Sequence, residues 1–177
     1  MKALAIVLTN ILLALPAAAQ DRPLSERTGV ARALGLTPET EDFASTAAIG
    51  SMFKIEASKL AQQKADRRSK AFAERIIADN QKLSADLEAL VRSGMLKIEL
   101  PSTLDSAHER KVNRLQELTG EKFDLQYDKD QLAAHKESLS LFERYAYGGD
   151  HPDLKAFAAR ALPRLREHLR MARDLRR

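Results

Sequence analysis

No cysteine occurs in the 177 residues. Disulfide staples, thiolate metal ligands and a thiol nucleophile are therefore excluded, and the packed core has to hold the fold. Long apolar runs are equally scarce: no segment beyond the N-terminus approaches roughly 18 uninterrupted apolar residues, so no spanning helix is predicted. Strand-like alternation is lacking. So are a Gly-rich phosphate loop, a nucleophile elbow and a His-Glu-x-x-His stretch, which removes the most readable routes to nucleotide, acyl-transfer and zinc-hydrolase chemistry.

What the chain does have is helical periodicity framed by turn residues. At its start, Lys2, the apolar stretch Ala3 to Leu15 and the small residues Ala17-Ala18-Ala19 before Gln20 predict an export signal over residues 1–19. Its removal would take away one cation, lowering the formal charge from +4 to +3 on a mature chain of about 158 residues, the size of one domain. The expected location is the periplasm, with association to the outer membrane as an extension of it, and the lack of cysteine suits an oxidising compartment. Residues 20–41 mix Pro23, Gly29, Gly35 and Pro38 with charges and read as a loosely ordered arm with one short helix around Val30 to Leu34.

Residues 42–177 read as one all-α domain. A long helix is predicted from Glu41 to Lys64, weakened slightly by Gly50. Asp66 to Arg68 makes a tight connection, Ser69 is the expected N-cap of a second helix, and Gly94 stops that helix after Ser93. Met95 to Leu104, with Pro101, is extended and long enough to run along the bundle. A short helix from Ser106 to Leu118 ends at Gly120, a third long helix covers Glu121 to Tyr147, and Asp150-His151-Pro152 opens a fourth, in which Pro163 is expected to bend the middle. The predicted architecture is an up-and-down four-helix bundle with an extra short helix in the central connection.

Three of the apolar seams are interrupted by polar residues. They run Phe72, Ile76, Asn80, Leu83, Leu87, Leu90, then Leu132, His135, Leu139, Phe142, Ala146, and finally Leu154, Ala158, Ala161, Leu165, His168, Ala172, Leu175. A buried polar layer must be satisfied by partners or by a metal. Two readings stay open: neutral imidazoles of His135 and His168 ligating a divalent transition metal, or the same rings hydrogen-bonded to each other, to Asn80 or to a carboxylate. In the first helix the arc Phe43, Ile49, Phe53, Ala57, Leu60, Ala61 leaves Lys54 near one edge and Glu56 beyond the other. Leu132 and Leu165 stand three residues before the histidines, where di-iron bundles carry glutamate, so a ferroxidase-type site is not expected. His108 and His151 fall in or beside connections, and His151, next to Pro152, reads as a turn residue rather than a ligand.

The fourth helix carries Arg160, Arg164, Arg166, Arg170, Arg173, Arg176 and Arg177 largely off its seam. This predicts a solvated basic face whose last-turn cations complement the helix dipole, with weak, salt-sensitive attraction to anionic envelope surfaces as the functional alternative. No nucleic-acid-binding motif is present.

Four ordered blocks carry a resemblance. They are Phe72 to Asn80, Phe123 to Tyr127, Ala134-His135 leading to Leu141-Phe142-Glu143, and Leu154 to Ala158 leading to Leu162 to Leu169. Together they resemble an exported bacterial ferritin-like family of unknown function, DUF4142, whose members are often labelled outer membrane proteins. The resemblance covers about Phe43 to Leu175 and implies a ferritin-like bundle with an interior cluster of one glutamate and three histidines, read as a metal centre. His135 and His168 match two of those histidines. Asn80 stands where the family has histidine after an aspartate, Lys54 where the first-helix glutamate is expected, and Glu56 at an often acidic position. The resemblance thus implies a tentative metal set of His135, His168 and Glu56, weakened by Asn80 and by the cation at Lys54, in an exported protein with a role such as stress tolerance.

Overall fold

The computed structural model describes residues 38–175. The expected export signal, most of the arm with its short helix, and Arg176 and Arg177 lie outside the described residues. Within them the chain forms five helices and no strand: α1 (Pro38–Lys64), α2 (Arg67–Arg92), α3 (Ser106–Glu117), α4 (Gly120–Gly148) and α5 (Pro152–Leu175). Helix α1 therefore begins inside the expected arm. The N-cap of α2 is Asp66 rather than Ser69: its carboxylate accepts the Ser69 backbone N–H at 2.7 Å, and the Ser69 side chain is buried inside the first turn. Asp105 does the same for α3, accepting the His108 N–H at 2.8 Å. Gly94, after α2, has φ +76°, a conformation that side chains with a Cβ rarely adopt.

Two apolar clusters fix the helix directions. One gathers Ala61 late in α1 and Ala65 just after it, Phe72 early in α2, Leu115 of α3, Phe123 early in α4 and Leu175 at the end of α5. The other gathers Phe43 early in α1, Leu87 late in α2, Phe142 and Tyr145 late in α4, and Leu154 early in α5. Helices α2 and α4 thus run the same way, and α1 and α5 run opposite to them. A strict up-and-down order would set α4 against α2, so that expectation is corrected. The cause is the central connection: Leu96 is buried in the second cluster, Ile98 and Leu100 pack on it, and Leu104 reaches the first. Nine extended residues cover about 30 Å at about 3.3 Å each, most of a helix length, so the chain returns to its starting end before α4 begins. His151 ties this strap down, its Nε2 lying 3.0 Å from the Met95 carbonyl.

Helix α1 packs on α2, α3 and α4, α4 on α5, and α2 on α5. The four long helices therefore enclose one interior, and α3 lies against α1 and α4. Lys64 donates to the Gln116 and Leu118 carbonyls at 2.5 and 3.2 Å, satisfying the free end of α3.

Candidate functional site: a polar layer between the apolar clusters

Helix α1 buries a stripe of mostly small residues at alternating steps of four and three: Thr40, Ala44, Ala47, Ser51, Lys54, Ser58, Ala61. Lys54 is its one long member. It is 1% exposed, and its ammonium donates to the Ser138 hydroxyl of α4 at 2.8 Å. No carboxylate meets it among the described residues. Burial lowers its pKa from 10.5 to about 8, so near neutral pH it still carries most of a positive charge.

On α4 the buried face reads Tyr127, Gln131, Ala134, His135, Ser138, Phe142, Tyr145. The seam expected from sequence ran one residue to the side, since Leu132, Leu139 and Ala146 are only partly buried. Gln131 and His135, one turn apart, are both buried, and neither the amide nor either ring nitrogen has a hydrogen-bond partner among the described residues. The His135 ring stands edge-on to Phe72 at 5.7 Å and to His168 at 5.4 Å. Burial, and after it the Lys54 charge, hold its pKa well below the usual histidine value, and the ring is neutral.

His168 on α5 is equally buried, and its Nε2 lies 2.8 Å from Asp79 Oδ2 of α2. Burial lowers the His168 pKa although Asp79 opposes it, so the contact is a hydrogen bond from a neutral ring to a carboxylate. The proton therefore sits on Nε2. Nδ1 is left as an acceptor without a partner. Asp79 also receives Arg164 and Arg75, each at 2.6 Å. Its partial burial works against the charge, but the bonds from His168, Arg164 and Arg75 prevail and bring its pKa down to about 2. Asn80 donates Nδ2 to the Ile76 carbonyl at 2.9 Å, which turns its Oδ1 away from that bond, buried and unpartnered.

Of the residues singled out in the sequence, His135, His168, Asn80 and Lys54 are all buried. The two rings are neighbours, Asn80 shares a cleft wall with His168, and Lys54 acts electrostatically on both histidines. Glu56 lies apart: its side chain is 46% exposed and pairs with Lys59 at 2.8 Å. Asp79, Gln131 and Ser138 were missed. Gln131 and Ser138 were hidden by the one-residue displacement of the α4 seam. The clue to Asp79 was Arg75 four residues earlier, the spacing of a helix-surface ion pair.

A divalent cation does not fit these residues. Two imidazoles and an amide would be joined by an ammonium, which repels a cation, and the nearest carboxylate is already committed to three donors. Among the described residues no three histidine, aspartate or glutamate side chains converge in a metal-holding arrangement. Within the layer the Ser138 hydroxyl stands 2.8 Å from Lys54, and there the ammonium is the donor. The chemistry of the layer is that of a dry, hydrogen-bonding interior.

The basic face of α5 is mostly neutralised. Arg164 pairs with Asp79, Arg166 with Glu143 at 3.0 Å, and Arg170 with Glu167 and Asp174 at 2.6 and 3.0 Å. His108 sits over its cap Asp105 at 2.8 Å and against the Phe53 ring.

Among the described residues, an all-helical fold with a polar layer built from α1, α2, α4 and α5 is the class these observations define. The sequence pattern of the family described as Domain of unknown function (DUF4142) matches residues 25–175, and the chain belongs to that family. No curated protein and no solved structure matches it.

Proposed function

We propose that the protein is an exported, ferritin-like four-helix bundle of the cell envelope, serving a role such as stress tolerance without catalytic machinery. In this reading the interior layer is a degenerate metal centre retained as structure. Support for the ferritin-like arrangement comes from the single long crossover between the second and third long helices, the feature that separates ferritin-like folds from simple up-and-down bundles. Support for export comes from the residue pattern over 1–19. The observation that carries the non-enzymatic reading is Lys54, whose buried ammonium takes up the position of positive charge in the layer. The competing reading, divalent-metal binding with metal-dependent oxidation, draws on the two unpartnered nitrogens of His135.

Incubation with iron(II), zinc(II) and manganese(II) separates the two. Neither stoichiometric uptake nor accelerated iron oxidation is expected. Stoichiometric binding with rapid oxidation would overturn the non-enzymatic reading. In the same assay, Lys54→Glu with Asn80→His should raise zinc affinity about 100-fold, since one unit charge near 4 Å is worth about 4 kcal/mol at a protein-like dielectric and part of that is lost to desolvation. Equal affinities by calorimetry would mean that these positions do not share a site.

Envelope contact through α5 should be weak. Arg160 and Arg173 are the α5 arginines without a carboxylate partner among the described residues, so co-sedimentation with anionic vesicles is expected at low salt and lost near about 0.15 M, where screening shortens to about 8 Å. Salt-resistant sedimentation would point to an anchor other than charge.

A further inference from the structure

Helix α3 covers only part of the outer face that α1 and α4 form together. Steps of four, three and four put Asp42, Thr46, Ile49 and Phe53 on one side of α1. At Phe53 that side is covered: the His108 ring of α3 stands 5.1 Å from the Phe53 ring, and Lys111 Nζ lies 5.4 Å from its centre. Nearer the start of α1 it is open. A groove of about 400 Å³ runs there between α1 and α4, with Asp42 and Thr46 on one rim, Leu141 and Arg144 on the other, and Gly148-Gly149 at its end. Leu141 is only partly buried, and Ile49, one turn beyond Thr46, is partly exposed and packs in neither apolar cluster. Arg144 donates to the Ser140 hydroxyl at 3.2 Å, whereas the exposed Asp42 meets no cation among the described residues.

We infer that residues 30–36 of this chain, which lie outside the described residues, occupy the groove as a second cover beside α3, with Val30 and Leu34 set against Leu141 and the Arg32 guanidinium beside Asp42. The position of the segment selects it. Helix α1 begins at Pro38, one turn before Asp42, so residue 37 enters at the mouth of the groove. Gly35 suits a reversal of the chain there, and five helical residues span about 7.5 Å, against about 6 Å between Asp42 and Thr46. Val30 and Leu34, four residues apart, share one face of a helical turn. An apolar cavity of about 150 Å³ accepts benzene, so the groove has room for two aliphatic side chains. Arg32 is the one charge among residues 30–36, and Asp42 is the rim carboxylate that lacks a cation. The family's sequence pattern begins at residue 25, which makes this segment part of the domain and not an appendage to it. A tethered occupant also acts at an effective concentration on the order of 1 mM, which a second copy in dilute solution does not approach.

Because the chain has no cysteine, a single introduced thiol reports on one position. In the purified protein, Leu34→Cys should react with a soluble disulfide reagent about tenfold more slowly than Leu24→Cys, the ratio for a segment docked about 90% of the time. Thr46→Arg puts a long cation into the groove, where it displaces the segment and repels Arg32. It should raise the Leu34→Cys rate to that of Leu24→Cys, and because Thr46 is exposed the helical circular dichroism should match the parent's. Leu141→Ser, which removes the apolar floor, should act in the same direction. The inference is overturned by equal rates at positions 34 and 24 in the parent, or by protection at 34 that neither groove variant relieves. Protection that deepens with protein concentration would overturn it in favour of a second copy on this face.

Discussion

Replacing Lys54 by methionine is expected to raise the stability of the protein by about 2 kcal/mol at neutral pH, an unusual direction for a change at a fully buried position. The pKa of the ammonium falls from 10.5 to about 8 on folding because burial strips it of water. At about 1.4 kcal/mol per unit, keeping that charge inside costs about 3 kcal/mol. Methionine has similar length and no charge to desolvate. Against this stands the lost bond to Ser138, worth about 1 kcal/mol and partly recovered if the hydroxyl turns to a carbonyl of its own helix. The sign of the pH effect follows from the same numbers. Between about pH 8 and 10.5 the unfolded chain holds a proton on Lys54 that the folded chain has released, so wild-type stability should climb with pH across that window and the Met variant should not. Urea unfolding at about pH 7 and about pH 9.5 reads both effects, below the range where the raised pKa values of Tyr127 and Tyr145 work in the opposite sense. A variant less stable than wild type at neutral pH would show that the ammonium has a compensating partner in solution.

Asp79→Ala should be the most damaging single change to the layer, costing about 2 to 4 kcal/mol. It removes the acceptor of the His168 Nε2 proton, and an orphaned buried donor is worth about 1 to 3 kcal/mol. It also removes a carboxylate whose pKa falls from 3.8 to about 2, a shift worth about 2 kcal/mol that overlaps with the first term. The pairs with Arg75 and Arg164 add little, because both guanidinium groups are half exposed. Asp79→Asn, which keeps an oxygen for His168, should recover about half of the loss. Because the folded value is the lower one, the Asp79 contribution is complete above about pH 5 and fades as pH falls through 4 towards 2. The wild-type advantage over Asp79→Ala in chemical denaturation should shrink accordingly at about pH 3. An unchanged advantage there would detach it from the carboxylate charge.

Much of this layer was legible in the sequence, and the parts that were not share a cause. His135, His168 and Asn80 interrupt seams of large apolar residues at steps of three and four, and such interruptions stand out because Leu and Phe on either side define the face. Helix α1 offers less contrast around Lys54. Beside Phe43 and Phe53 its buried positions are mostly alanine, serine and threonine, residues that appear on helix surfaces as often as inside, so Lys54 was placed at the edge of an arc when it lies in the middle of a buried stripe. Small residues let α1 approach its neighbours closely, and that approach buries a lysine no hydrophobicity pattern would bury. Boundaries were recovered where glycine or proline marks them. The N-cap of α2 was displaced because Asp66 and Ser69 are both good caps, and only the backbone geometry chooses Asp66. The crossover could not be read from periodicity: Met95 to Leu104 was recognised as extended, but its direction follows from which cluster receives Leu96 and which receives Leu104.

The helix pairing also has a kinetic consequence. Helices α1 and α2, joined by two residues, and α4 and α5, joined by three, are hairpins of near neighbours in the chain, whereas Thr40 meets Tyr145 across 105 positions. Local hairpins form quickly, and contacts that close long loops come late. Lys54 and Asn80 belong to one hairpin, His135 and His168 to the other. Neither hairpin alone has to strip these four side chains of water. The desolvation penalty of the layer falls on the association of the two halves, which makes that association, rather than helix formation, the step whose rate the interior polar residues govern.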